Sequence, residues 1–276
     1  MSTIGNTQVI ANGFNEYYAT IIEKIIPKDT TITDANTGGY IYPDNRIIES
    51  MCLPRASTTD IISIIDSLKK NSSPGIDNIK STYIIASKFS IAELITYLLN
   101  TIFETGIIPE QLKISIVRPI YKGGIKNQFE NYRPIMILPV MEKILEKFIL
   151  IHLKLHLKKH KIISNCQHGF QEGKSTSTLL EDFVDNVYNS LNDGKHGCAI
   201  FLDLRKAFDV LDHQILLSKL QNIGIRGNLT NLFKNYLQER KITTKINNSF
   251  SKANSIKTGV PQGSMLGPLL FLIYDT

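Results

Sequence analysis

Cysteines, long apolar runs and phosphate-binding glycine loops are scarce or missing in this sequence, and each absence excludes a class of protein. The 276 residues include only Cys52, Cys166 and Cys198, without a C-x-x-C pair. Neither a disulfide framework nor a zinc site is therefore expected, and a reducing intracellular compartment fits. The longest late apolar run, Pro268–Tyr274, is too short to cross a bilayer. No secretory leader pattern opens the chain, so secretion is not expected.

The overall composition is that of a globular protein with a mild excess of positive charge. Hydrophobic residues make up 42% and charged residues 20% of the chain, enough for one large domain or two lobes with a sizeable core. The net charge is +6, and residues 143–174 carry most of the excess, with seven lysines and two acidic residues. This distribution suits a polyanionic partner such as nucleic acid, although a solvated helix face would look the same.

Apolar spacing and turn residues predict a chain rich in helices. We expect helices near residues 13–26, 57–70, 77–88, 90–105, 138–160, 175–192, 213–221 and 229–238, a strand over 114–121 and a strand pair within 241–257. Ser57 followed by Asp60 is a weak capping box for the second helix.

The segment AIFLDLRKAFD, residues 199–209, is the most informative stretch of the chain. Residues 198–202 are apolar without alternation, which predicts a strand buried on both faces, with Cys198 as a small core residue. Asp203 stands at the end of this strand, where a rigid scaffold could hold a carboxylate as a Mg²⁺ ligand. A cap or a solvent-exposed strand end is the alternative for Asp203.

Seven motifs in order give the chain a family resemblance. They are ANGFNEYYATI (11–21), SSPGIDN (72–78), VRPIYKGG (117–124), NYRPIMILPVMEKILEKFI (131–149), QHGFQEGKST (167–176), FLDLRKAFD (201–209) and GVPQGSMLGP (259–268). Together they resemble the reverse transcriptase of a non-LTR retrotransposon, of the LINE type and jockey-like. The resemblance implies an α+β right-hand polymerase fold, with a connector (1–55), helical fingers (56–195), a partial palm sheet (196–276) and no thumb.

The resemblance assigns roles around the expected metal site. Asp203 matches the first metal-binding aspartate, assisted by the backbone carbonyl of Leu204. Phe208 matches the aromatic residue that packs against the incoming sugar and excludes a 2′-hydroxyl, although an ordinary core phenylalanine is the alternative. Asp209 is expected to hold its turn by side-chain hydrogen bonds rather than to bind metal.

The resemblance also implies nucleotide-binding residues. Gln262 and Gly263 match the loop that contacts the nucleotide and template, although Pro261 also suits a plain turn. Lys122 and Arg133 match basic fingers positions that meet the triphosphate, with ordinary surface cations as the alternative. Gln171 departs from the pattern, since relatives usually carry Arg there.

The end of the chain departs further from the family pattern. The family carries a Tyr/Phe-Ala-Asp-Asp hairpin shortly after the GPLLFLIY helix, whereas this sequence ends at Thr276. We therefore expect an incomplete two-metal Mg²⁺ site and an inactive isolated chain, and Asp275 is either a remnant of the hairpin region or an accident of truncation.

The implied partners are an RNA template, a DNA primer and deoxynucleoside triphosphates, in an intracellular location and, for target-primed integration, in the nucleus. Two alternatives stay open: a non-catalytic nucleic-acid-binding remnant, and an unrelated α/β phosphotransferase. The second would need a glycine-rich phosphate loop such as G-x-x-x-x-G-K-S/T or G-x-G-x-x-G, and neither occurs.

Overall fold

The computed structural model describes residues 6–25, 47 and 49–276, which form a mixed arrangement of helices and strands. The helices are α1 (Thr7–Ile25), α2 (Thr58–Asp66), α3 (Ser81–Ala86), α4 (Lys88–Thr105), α5 (Val140–Lys159), α6 (Thr176–Asn192), α7 (His213–Asn222), α8 (Asn228–Leu237) and α9 (Gly267–Asp275). The strands are β1 (Ile114–Tyr121), β2 (Tyr132–Ile137), β3 (Lys241–Ile246), β4 (Ser249–Phe250) and β5 (Asn254–Ser255). Short 3₁₀ turns precede β1 and β2.

The strands form one sheet in the order β2-β1-β3-β4, with β5 also paired to β3. Strands β1 and β2 form an antiparallel hairpin in which Ile120 faces Arg133. Strands β1 and β3 run parallel, with Ile116 beside Thr243. The sheet therefore joins strands from both sides of residue 195, where the sequence predicts a boundary between fingers and palm, and that boundary stays a prediction.

Helix α1 covers one face of this sheet. The Asn15 side-chain amide is buried and donates to the carbonyl oxygens of Ile242 (3.2 Å) and Lys252 (2.8 Å). Around it lies a small apolar cluster of Phe14, Tyr18, Val117, Met136 and Ile242. Helix α1, within the predicted connector, is thus packed on the sheet through Phe14, Tyr18 and the buried Asn15 amide.

The main apolar core lies around α5, which is 20 residues long. Its side chains Ile144, Leu145, Phe148 and Ile149 are almost completely buried. They belong to one apolar cluster with residues of α2, α4, α7, α8 and α9. The same core includes Val260 and Leu266, so it also holds the loop that precedes α9.

Most predicted helices form, with shifted ends. Helix α2 begins after Ser57, whose hydroxyl accepts from the Asp60 backbone in a complete capping box, as predicted. Helix α1 begins earlier than expected, and the helix expected over 77–88 is shorter. Strand β2 was not predicted, because its sequence YRPIMI contains Pro134. As an edge strand, β2 tolerates a residue that lacks a backbone N–H.

The prediction of a buried strand over residues 198–202 is wrong. This segment has neither helix nor strand, and Ile200, Phe201 and Leu202 are 82%, 83% and 90% exposed. Cys198 is also exposed rather than a core residue. A strand needs a neighbouring strand for its backbone hydrogen bonds and a second layer that covers its side chains. No strand in the described residues pairs with residues 198–202.

Helix α6 shares this exposure, and we call residues 176–204 the exposed segment. Ser175 caps α6 through the backbone N–H of Thr178, so the helix begins where the sequence predicts it. None of its residues is buried, although it carries an apolar face. The exposed apolar side chains are Leu179, Leu180, Phe183, Val184, Val187, Tyr188 and Leu191. The Phe183 ring lies 5.9 Å from the Phe201 ring, so the two parts of the segment touch.

None of the helices in the described part of the chain combines the length and the hydropathy that a membrane span requires.

Candidate functional site

The loop of residues 259–266, here the Gln262 loop, is bonded to two distant parts of the chain. The Gly259 and Val260 backbone N–H groups donate to the carbonyl oxygens of Leu211 (2.8 Å) and Phe208 (2.9 Å). The Met136 N–H donates to the Gln262 carbonyl oxygen (2.7 Å). These bonds attach the loop to β2 and to residues 205–211, which contain the sequence Ala-Phe-Asp and are here called the AFD turn.

Two glycines of the loop are required by close backbone approach. Gly263 has φ of +119°, and a Cβ there would lie 2.6 Å from the Met136 carbonyl oxygen. Gly259 has φ of +78°, and a Cβ there would lie 2.6 Å from the Phe208 carbonyl oxygen. Only glycine fits both demands. Both glycines thus permit a close approach to the chain's own backbone.

Gln262 and Asp209 form the polar centre of this site. The Gln262 side-chain Nε2 donates to Asp209 Oδ1 at 2.8 Å. Burial raises the pKa of Asp209, while the bond from Gln262 and the charge of Lys206 act in the opposite direction. The turn at Asp209 is closed by its backbone N–H, which donates to the Lys206 carbonyl at 2.8 Å. The expectation that the Asp209 side chain holds its own turn is therefore wrong, because that side chain is bonded to Gln262.

Phe208 lies at the edge of the main core. Its half-buried ring is 5.1 Å from that of Phe271 on α9 and 5.8 Å, edge to face, from that of Phe170. This geometry corresponds to the core-phenylalanine alternative in the structure described here. A contact between Phe208 and the sugar of a nucleotide stays a prediction.

Lys206 links the AFD turn to helix α1, which sequence reasoning missed. Its ammonium Nζ lies 4.7 Å from the centre of the Tyr17 ring and 3.3 Å from the Tyr17 hydroxyl. Burial lowers the pKa of Lys206, and nearby Asp209 opposes that shift. Both residues belong to motifs that the sequence shows, but nothing in either motif indicates that the two would meet.

Lys122 and Arg133 lie at nearby positions on the two sides of the β1–β2 hairpin. Arg133 faces Ile120 across the strands, and Lys122 lies two residues further along, so alternation puts both cations on the same face. The Lys122 N–H donates to the Asn131 carbonyl at 2.9 Å and closes the hairpin. Both side chains are exposed, which leaves them available to a phosphate.

Asp203 and Leu204 lie in the exposed segment, outside any helix or strand. Leu204 is 60% exposed. Throughout the described residues, no group of three or more His, Cys, Asp and Glu side chains is arranged to hold a metal ion. One exposed carboxylate does not fit a two-metal site, which needs several oxygen ligands held in register.

A buried charged cluster beneath the Gln262 loop was also missed from the sequence. The Arg240 guanidinium Nη2 lies 2.6 Å from Glu142 Oε1, and both side chains are almost fully buried. The Tyr236 hydroxyl donates to Glu146 Oε1 at 2.5 Å. The Met265 N–H donates to Glu146 Oε2 at 2.7 Å. The available signal was a pair of glutamates four residues apart within an apolar helix.

Burial raises the pKa of both glutamates in this cluster. The pKa of Glu142 rises to about 8, although the Arg240 charge opposes the shift. The pKa of Glu146 is also raised by burial, against its hydrogen bonds from Tyr236 and Met265. Of these two glutamates, Arg240 is therefore paired directly with Glu142 alone, and burial favours the protonated state of that carboxyl group.

Comparison with known proteins decides the family. The model of the family described as "Reverse transcriptase (RNA-dependent DNA polymerase)" matches residues 122–274, more than half of the chain. This chain belongs to the reverse transcriptase family. The match begins at Lys122 and includes Arg133, Asp203, Phe208 and the Gln262 loop.

The chain is similar to several curated proteins of Drosophila melanogaster mobile elements. It is 30% identical to the probable RNA-directed DNA polymerase from transposon BS over 78% of this chain and 24% of the relative. The corresponding protein from transposon X-element is 29% identical over 78% of this chain and 24% of that protein. The RNA-directed DNA polymerase from mobile element jockey is 28% identical over 81% of this chain and 25% of that protein. The resemblance to a jockey-like reverse transcriptase is thus confirmed, and the chain spans about a quarter of the length of these relatives.

Proposed function

We propose that this reverse transcriptase chain forms the fingers and the first part of the palm of an RNA-directed DNA polymerase encoded by a non-LTR retrotransposon. The complete polymerase would have the right-hand fold and add deoxynucleotides to a primer 3′-hydroxyl on an RNA template. The observation that carries this proposal is the bonding of the Gln262 loop to both β2 and the AFD turn. Strand β2 also carries Arg133, so one strand connects the loop with the cations of the hairpin.

The proposed nucleotide contacts follow from this arrangement. Arg133 and Lys122 on the hairpin would meet the triphosphate, since a guanidinium binds phosphate oxygens in pairs and an ammonium adds a point charge. Gln262 and Gly263 would contact the nucleotide and the template. Phe208 would approach the sugar of the incoming deoxynucleotide. In the reaction, the primer 3′-hydroxyl attacks the α-phosphate and pyrophosphate leaves.

Reverse transcriptases use divalent metal ions, and we propose Mg²⁺ for this one. Asp203 and the backbone carbonyl of Leu204 are the proposed ligands from this chain. Because the described residues do not supply the remaining ligands of a two-metal site, we derive no catalytic step through the metal. The proposed partners are an RNA template, a DNA primer and deoxynucleoside triphosphates. The proposed location is intracellular, in the nucleus.

A second candidate function is nucleic-acid binding without catalysis. The exposure of the segment around Asp203 favours it, since that carboxylate is not held beside the Gln262 loop by a strand. The exposed cations of the hairpin would still attract phosphate groups, and such binding would weaken as salt increases.

Primer extension separates the two candidates. Two polypeptides are compared, this chain and a longer one from the same reading frame, each beside its Asp203→Ala variant. We expect the longer polypeptide to extend a primer on RNA and Asp203→Ala to abolish extension, while the 276-residue chain binds primer–template without synthesis. Retained activity in the longer variant would overturn the role of Asp203. If the 276-residue chain itself extends the primer and Asp203→Ala abolishes that activity, the expected inactivity of this chain is overturned.

A further inference from the structure

We infer that Glu146 and His213 are positioning residues that fix the two ends of the Gln262 loop and so hold Gln262 and Gly263 where the nucleotide is met. This inference rests on the proposed function for the nucleotide, but the attachment of the loop is a property of the chain alone. Glu146 acts at the C-terminal end of the loop through Met265, and His213 acts at the N-terminal end through Gly259.

Glu146 is suited to its end because a carboxylate offers two acceptors and no donor. One oxygen accepts from the Met265 backbone N–H and the other from the Tyr236 hydroxyl. The side chain has no exposed surface, so neither bond can be replaced by bulk water. Since α5 and α8 are both part of the main core, this single side chain connects the loop to two helices of that core.

His213 holds the other end through its ring. Its Nε2 atom lies 2.8 Å from the Gly259 carbonyl oxygen. A carbonyl oxygen can only accept, so the Nε2 atom must carry the proton. His213 is the first residue of α7, and the Asp212 side chain caps this helix by accepting from the backbone N–H groups of Gln214 and Ile215. The cap fixes the helix start and with it the imidazole.

The conformation of the loop between Gly259 and Met265 depends on both attachments. Gln262 and Gly263 lie against Met136, and Gly263 has a backbone conformation that other residues rarely adopt. Because glycine itself is conformationally free, such a turn keeps one conformation only when its surroundings hold it. Loss of either end would let the Gln262 loop sample other conformations while the helices stay packed.

Hydrogen exchange tests the Glu146 end directly on the 276-residue chain. The variants are Glu146→Leu, Glu146→Gln and, as a matched control in the same buried helix, Ile149→Val. We expect amides of residues 259–266, relative to those of α5, to exchange about tenfold faster in Glu146→Leu. Glu146→Gln should show a smaller increase, since its amide oxygen can still accept from Met265. An unchanged ratio in Glu146→Leu, or the same increase in Ile149→Val, would overturn the inference for Glu146.

The His213 end is tested in the same way. His213→Leu removes the donor, whereas His213→Gln supplies an amide N–H of similar reach. Faster exchange in His213→Leu that His213→Gln partly restores supports the positioning role. Equal acceleration in both variants would indicate that only packing matters and would overturn the inference for His213.

Nucleotide binding separates the inference from the proposed function. The dissociation constant of dATP for the primer–template complex of the longer polypeptide is expected to rise about tenfold in Glu146→Leu and less in Glu146→Gln. If loop exchange increases as expected but the wild-type polypeptide binds no dATP, the proposed function fails and the attachment of the loop stands. If dATP binds equally well in both variants despite faster exchange, the loop does not position the nucleotide and the inference is overturned.

Discussion

Helix α5 and the exposed segment contain similar apolar residues in opposite environments. Leu145 and Phe148 are almost fully buried, whereas Phe201 and Leu202 are more than 80% exposed. Burial therefore depends on a partner surface, since α5 is covered by other helices while no described strand pairs with residues 198–204. An apolar run indicates where a core can form, and other parts of the molecule decide whether it does.

Charged residues show the same contrast. Arg240 is buried with two carboxylates beneath the Gln262 loop, while Asp203 lies exposed in an irregular segment. In the proposed polymerase, the packed region would position the nucleotide and the exposed segment would contribute to metal binding. The two proposed functions of one active site would thus depend on regions of very different packing.

The largest expected effect comes from removing the buried cation. Arg240→Met removes the buried guanidinium and leaves Glu142 Oε1 and the Tyr236 carbonyl oxygen without their hydrogen-bond donor in the core, which should cost about 3–5 kcal/mol of unfolding free energy in urea. The matched change in the exposed segment, Lys195→Met, removes a surface pair with Asp193 and should cost less than about 0.5 kcal/mol. Equal losses in the two variants would contradict the contrast between the regions.

A leucine truncation in each region compares apolar burial directly. Leu145→Ala removes a side chain with no exposed surface and should lower the unfolding free energy by about 2–5 kcal/mol. Leu202→Ala changes a side chain that is 90% exposed and should stay within about 0.5 kcal/mol. If Leu202→Ala proves as costly, the segment is packed in solution and the described exposure is wrong.

The raised pKa of Glu142 predicts a pH-dependent stability of the packed region. Its pKa in the folded chain, about 8, lies above the ordinary 4.5, so the folded state binds its proton more tightly. This contribution is fully present below pH 4.5 and is lost as the pH rises to about 8, at up to about 1.4 kcal/mol per pH unit. The difference between wild type and Glu142→Gln, measured by urea unfolding at several pH values, should show this slope. If the unfolding free energies of the two proteins change with pH in parallel, the prediction is contradicted.

Two capping boxes offer the smallest and most closely matched comparison. Ser57→Ala should lower the global unfolding free energy by about 1 kcal/mol, because α2 is packed into the core. Ser175→Ala should reduce the helix signal in circular dichroism by partial loss of α6 but leave the unfolding midpoint unchanged. A shift of the midpoint with Ser175→Ala would show that α6 unfolds together with the core.

Local signals in the sequence were reliable where they act over a few residues. The strand over 114–121 and the starts of α2 and α6 are as predicted, because alternation and capping depend on near neighbours. Long-range contacts were not predicted. The pairing of β1 with β3 and the packing of α1 on the sheet join residues far apart in sequence, and no local pattern encodes them.

The candidate site divides in the same way. The motifs identified Gln262, Gly263, Lys122 and Arg133, and the structure brings the first two to the strand that carries Arg133. The roles of Glu146 and His213 could not be predicted, because each depends on a hydrogen bond to a residue between 46 and 119 positions away. The exposure of Asp203 was foreseen only as the alternative to a metal ligand, and the buried strand expected before it does not form, since it finds no described neighbour.

The sequence by itself determined the family and most of the helices, and it offered candidate residues for nucleotide binding, because motifs, periodicity and caps depend on neighbouring residues. Only the tertiary structure decided which charges are buried, how the Gln262 loop is attached and which apolar segment stays exposed. A side chain is buried, or forms a long-range hydrogen bond, only when segments distant in sequence pack against each other, and the whole fold determines which segments do so.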